Sequence, residues 1–117
     1  KLIPTLYKNF KKNKITKVVT KNLELNIIHV EDLIRSIYSL LHKNIKSGDY
    51  CLINDKNLNI NKLIKTINNK SVRQIKVRFL SNKSIKPKKS FLKTLPKWKA
   101  DITIQKKIEK LFYNEIN

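Results

Sequence analysis

Leu25-Asn26-Ile27-Ile28-His29-Val30-Glu31-Asp32-Leu33-Ile34, running on through Arg35-Ser36-Ile37-Tyr38-Ser39-Leu40-Leu41, is the stretch whose reading decides the fold. Leu23, Leu25 and Ile27 alternate with Glu24 and Asn26, the period of two expected of a strand, before Ile28 makes the run continuously apolar. Past His29 the period changes. Leu33, Ile34, Ile37 and Leu41 recur at helical spacing, Glu31 and Asp32 place negative charge at the helix start, and His42 and Lys43 lie near its end. A buried strand therefore turns directly into a helix at a His-Val-acid-acid corner. Gly48, the single glycine, follows where the helix must stop and where a positive φ is expected.

Outward from this corner, Leu2, Ile3, Leu6, Tyr7 and Phe10 form a helical stripe with Pro4 in its first turn. Residues 15–20 are rich in β-branched side chains and read as a strand, as do 50–54, the latter ended by the polar turn Asn54-Asp55-Lys56-Asn57. Ile60, Leu63, Ile64 and Ile67 mark a helix capped by Asn59. Ile75, Val77 and Phe79 alternate with polar residues as a half-buried strand, 83–89 is a polar loop holding Pro87, and 90–95 can make a turn or two of helix before Pro96. Thr103 is the expected cap of a last helix carrying Ile104, Ile108, Leu111 and Phe112. The order is mixed α/β, with too few strands properly spaced for an independent doubly wound sheet. The expectation is one lobe over residues 1–117, whose apolar side rests on something else.

Composition bounds the function classes. With 117 residues and 40% hydrophobic content there is material for a modest core, and no apolar run nears the roughly 20 residues of a membrane span. A soluble, cytoplasmic protein without a membrane partner is the expectation. The chain begins at Lys1, has no methionine and opens like the middle of a fold, which suggests a piece of a longer protein. Cys51, the lone cysteine, sits in an apolar run and reads as a buried structural thiol. Two histidines and one cysteine give no metal-ligand spacing, and no serine or cysteine stands on a glycine-rich elbow.

Lys and Arg total 27 against 8 acids, a formal charge of +19 that raises nucleic acid as a partner. Yet only Arg35, Arg73 and Arg78 are arginines, the lysines are spread over every element, and aromatics do not interleave with them for base stacking. A small basic nucleic-acid-binding module is therefore the alternative rather than the leading reading. A pyrophosphate-bearing ligand would also be drawn by a positive field.

The corner 27–34 resembles the "RDFIHVDDLV" segment of the extended short-chain dehydrogenase/reductase family, the NAD-dependent epimerases and dehydratases acting on nucleotide sugars. Asp49-Tyr50-Cys51-Leu52-Ile53-Asn54 is similar to its "GEVYNIGS" strand, and 58–67 to the helix that follows. Residues 95–108 resemble the terminal "LGWKPKTSLEEGI", with two residues rather than one between Leu95 and Trp98, Ala100 for the proline after the tryptophan and Lys107 for the glycine before the final isoleucine. Leu2-Ile3-Pro4 is similar to the "VIP" that opens the substrate lobe.

The resemblance implies a substrate-binding lobe whose parent enzyme binds NAD or NADP elsewhere. In the family a glycine-rich loop holds the dinucleotide, and a Tyr-x-x-x-Lys pair carries the proton chemistry in the Rossmann half. One glycine cannot build that loop. Tyr38, Tyr50 and Tyr113 are followed four residues on by His42, Asn54 and Asn117, and Tyr7 with Lys11, which has the bare spacing, falls in an amphipathic helix. No catalytic residue is therefore assigned. By resemblance, Leu2, Ile3 and Pro4 would line the nucleotide base. Leu25 stands where the family's pyrophosphate-binding arginine stands, with Arg78 or Lys86 as compensating cations. His29 would order the corner or contact ligand, Asp32 would serve the helix start, and Trp98 would anchor the last loop to the final helix. The implied partners are a nucleotide-sugar substrate and the parent's Rossmann domain, with homodimer formation open. A degenerate, non-catalytic fragment is a third reading.

Overall fold

The computed structural model describes residues 1–114. It is a small mixed α/β lobe in the order α1 (Leu2–Lys11), β1 (Thr16–Val18), β2 (Asn22–Leu25), α2 (Val30–His42), β3 (Tyr50–Cys51), β4 (Leu58–Asn59), α3 (Ile60–Lys70), β5 (Val77–Phe79), β6 (Ser84–Ile85), β7 (Lys93–Thr94) and α4 (Ile104–Asn114). Asn117, four residues beyond Tyr113, lies outside the described residues. No helix among those described is long and apolar enough to cross a membrane.

Three small ladders replace one sheet. β1 pairs in parallel with β5, β2 lies between antiparallel β4 and parallel β6, and β3 pairs in parallel with β7. The core lies between these ladders and three helices. Leu6 and Phe10 of α1, Val18, Leu23, the α3 stripe Ile60-Leu63-Ile64-Ile67, and Ile104, Ile108 and Phe112 of α4 form one buried cluster. Phe112 meets Phe10 and Tyr7 edge-on, with ring centroids 5.0 and 5.5 Å away, a geometry that favours aromatic pairs beyond their buried area. Lys11 Nζ lies 5.2 Å from the centre of the Tyr7 ring.

Helix ends follow local chemistry. Asn59 Oδ1 accepts from the Lys62 N–H at 3.0 Å, the expected cap of α3. Asn13 takes a left-handed φ of 56° after α1, where its N–H donates to Phe10 O and the Lys14 N–H donates to Asn9 O, a Schellman closure with asparagine in place of glycine. Gly48, by contrast, has no positive φ, so α2 ends without the expected left-handed glycine.

Three other expectations are corrected. Residues 93–94 form β7 rather than a helical turn, because β3 offers an open parallel edge. Within the 83–89 loop, β6 pairs with β2, held by the Thr20 hydroxyl, which donates to Ser81 O and Lys83 O. Cys51 is half-buried rather than buried, because β3 has only β7 beside it. Its thiol faces Leu92 O at 3.4 Å.

The lobe is flat, 49 × 35 × 19 Å, with a radius of gyration of 16.7 Å, against about 13 Å for a compact chain of this length. The flatness is clearest at α2. Asp32, Ser36 and Ser39 on one side of this helix are buried, whereas Val30, Leu33, Ile34, Ile37, Leu40 and Leu41 are 44–76% exposed. The helix is amphipathic but turned inside out, its polar stripe on the lobe and its apolar stripe facing away.

Candidate functional site: an apolar groove at the strand-to-helix corner

The corner is built by side chains standing in for a strand ladder. After β2 the backbone leaves its neighbour, and Asn26 and Asn54 bond reciprocally. Asn26 Nδ2 donates to Asn54 O at 2.8 Å, Asn54 N–H donates to Asn26 Oδ1 at 3.0 Å, and Asn54 Nδ2 donates to Ile27 O at 3.1 Å. These bonds hold 26–29 extended without a strand partner. His29 then caps α2 in an extended conformation. Its Nδ1 accepts the Glu31 N–H at 3.1 Å, which leaves the ring proton of the neutral imidazole on Nε2.

Asp32 does more than charge the helix start. Its buried carboxylate accepts from Arg35 at 2.7 Å, from Asp101 N–H at 3.2 Å and from Ile102 N–H at 3.0 Å. Burial pushes its pKa up, but the Arg35 guanidinium and the two backbone donors outweigh this and hold it below the usual carboxylate value. Trp98 Nε1 donates to Asp32 O at 3.1 Å, and Arg35 lies over the indole and donates to Lys99 O. Trp98 thus anchors the last loop to α2, not to α4 as expected. The loop gains its polar partners there from the carboxylate and carbonyl of Asp32 and the guanidinium of Arg35.

Beside the corner lies a cavity of about 870 Å³, within the range of small-ligand sites. Four remote segments wall it: 1–4 from the start of α1, 23–30 from β2 and the corner, 85–87 from the end of β6 onward, and Ile104, Lys107, Ile108 and Leu111 of α4. The lining is mainly aliphatic, with Glu24, His29, Lys1, Lys86 and Lys107 as its charged or titratable members.

Six of the seven residues nominated from sequence converge on this groove: Leu2, Ile3, Pro4, Leu25, His29 and Lys86. Leu25 faces Leu58 across the β2–β4 ladder. Lys86 Nζ lies 3.9 Å from Glu24 Oε2. Arg78 does not line the groove; it is exposed on β5, in register with Lys17 of β1. The α4 wall was not foreseen, although Lys107 carries a visible signal, being the one cation in the stripe Ile104-Lys107-Ile108-Leu111 at helical i, i+3, i+4, i+7 spacing. A second, polar cleft shares Glu24, Ile27 and Ile104 with the groove and is otherwise lined by residues such as Asn54, Asp55, Asn57, Thr103 and Lys106.

A Cβ added to Gly48 would meet only the Tyr50 ring, at an ordinary 3.8 Å, so no close backbone approach depends on it. No group of three or more His, Cys, Asp or Glu among these residues could hold a metal ion.

No family model matches the chain, and no curated protein matches it. Among solved structures it is similar to that of RMD from Pseudomonas aeruginosa complexed with NADPH, with a TM-score of 0.68 and 12% identity. The match covers 98% of this chain and 41% of that one, so the chain spans about two fifths of that protein's length. At this identity the likeness shows the fold.

Proposed function

We propose that the chain is the substrate-holding lobe of an NAD(P)-dependent nucleotide-sugar epimerase, dehydratase or ketoreductase of the extended short-chain dehydrogenase/reductase type, working in the cytoplasm. The observation that carries this reading is the convergence of residues 2–4, 25, 29 and 86 on one ligand-sized groove. Apolar walls suit the base and ribose, and lysines at the groove suit phosphate. The fold likeness to an NADPH-complexed protein supports the same class.

In this reading the lobe holds the nucleotide end of the substrate, and a Rossmann half binds the cofactor, which accepts or returns hydride at the sugar. The outward stripe of α2 is the surface for that half. A helix of 13 residues is marginal in water without a packed face, and α2 makes no extensive contact with any other described helix or strand. Leu33, Ile37 and Leu41 are its offered contacts.

The test is titration of the intact protein with a panel of nucleotide sugars, followed by heat of binding. Saturable binding that a groove-filling Leu25→Trp abolishes is the expected result. Absence of such binding, together with sequence-independent binding to duplex DNA that weakens steeply with salt, would sink the reading in favour of a basic nucleic-acid-binding module.

A further inference from the structure

We propose that Lys107 is the anion-binding residue of the groove and contacts the diphosphate of a nucleoside diphosphate ligand. The inference rests on the reading of the groove as a nucleotide site and deepens it. Within the groove, Glu24 and Lys86 stand 3.9 Å apart and offset one another. Leu25 offers no charge, and Lys1, the other lysine of the lining, precedes α1, whereas Lys107 is held within α4. Lys107 has no ion-pair partner among the described residues, and it interrupts the apolar stripe of α4 at the position flanked by Ile104, Ile108 and Leu111.

A lysine in that setting lays its methylenes along the aliphatic wall and keeps its ammonium at the groove surface. An ammonium there is matched by a ligand with both a flat, weakly polar body and an anionic group. A nucleoside diphosphate has that form, its base and ribose on the leucine and isoleucine floor and its phosphates at the cation. Lys106, the next residue, carries the same charge but lines the neighbouring polar cleft and not the groove. Charge at Lys107 and charge at Lys106 are therefore separable by experiment.

The experiment measures affinity of the intact protein for adenosine, guanosine, uridine and thymidine diphosphates and for the four parent nucleosides, in wild type, K107Q, K107R and K106Q. The expected result is that K107Q weakens the tightest diphosphate about tenfold, the worth of one charge-assisted hydrogen bond. Nucleoside affinity stays unchanged, and K107R and K106Q behave as wild type. Equal losses in K106Q and K107Q, no loss in K107Q, or a K107Q loss shared by the nucleosides would each overturn the role of Lys107 while leaving the groove a nucleotide site. Failure of wild type to bind any diphosphate or nucleoside would remove the nucleotide reading itself, and the inference with it.

Discussion

Trp98 Nε1 donates to the backbone carbonyl of Asp32 at 3.1 Å, so the chain's one tryptophan is tied to the residue whose carboxylate also collects the Asp101 and Ile102 amides. A single turn of α2 therefore fastens the entire loop that leads into α4. Because α4 supplies a wall of the groove and α2 begins at the corner that supplies another, Asp32 sets the spacing between two walls while its side chain stays outside the groove.

Removing that carboxylate should be costly. Asp32→Ala leaves the Asp101 and Ile102 amides without their acceptor and takes one partner from Arg35, which keeps Lys99 O and the Asp101 carboxylate; the expected loss is about 3 kcal/mol, less than for a wholly buried pair because water reaches Arg35. Asp32→Asn keeps one acceptor oxygen and should lose about half as much. Urea denaturation followed by Trp98 fluorescence measures both; a loss below 1 kcal/mol for the alanine variant would show that the loop is held by other contacts.

The same carboxylate gives the lobe an acid limit. Its folded pKa lies below the ordinary value of 3.8, so the folded state binds this proton less readily than the unfolded chain. The stabilisation is complete above the unfolded value and is lost as pH falls through the folded one. Denaturation midpoints measured from pH 6 to pH 2.5 should decline below about pH 4. In Asp32→Asn this part of the decline should be missing, and an identical acid limb in both proteins would assign it to other carboxylates.

The corner was legible because its signals are local: a period of two giving way to helical spacing, acids in the first helical turn, and His29 in capping position. Asn59 and the stripes of α3 and α4 were legible for the same reason. β6 and β7 were not. Each is two residues long and exists through a partner far along the chain, as in the contact between Cys51 and Leu92 or the Thr20 hydroxyl reaching Lys83. No local pattern announces such pairing. Leu2, Ile3, Pro4, Leu25, His29 and Lys86 could be nominated from motif resemblance, whereas Lys107 replaces a glycine of that motif and is visible only as a break in a stripe. Arg78 alternates onto the outer face of its strand, which a two-residue repeat indicates but resemblance did not weigh.

The outward stripe of α2 leads to a prediction that separates burial in this lobe from burial against a neighbour. Ile37 and Leu41 are 52% and 76% exposed, so the Ile37→Ser/Leu41→Ser pair should change the stability of the 117-residue chain by no more than about 1 kcal/mol. It should also reduce self-association and dye binding, because it removes the centre of an exposed apolar patch. In a chain that includes a cofactor-binding half, the same pair should cost about 4 kcal/mol or more, the scale of emptying two core aliphatic positions. Equal small effects in both settings would show that nothing packs on α2.

Lys97 offers the most local test. Its φ of 58° is left-handed, and it falls in the turn made by the two residues between Leu95 and Trp98. A side chain there costs about 1–2 kcal/mol relative to glycine, against a smaller entropy cost for glycine in the unfolded chain. Lys97→Gly should therefore raise stability by about 0.5–1 kcal/mol. The bond that Lys43 Nζ donates to this turn, at 3.1 Å, survives because its acceptor is the backbone carbonyl of residue 97. Thermal unfolding of Lys97→Gly beside Lys97→Ala makes the comparison: glycine should stabilise and alanine should not. A gain in both would trace the effect to removal of a lysine from a basic surface rather than to relief of the backbone.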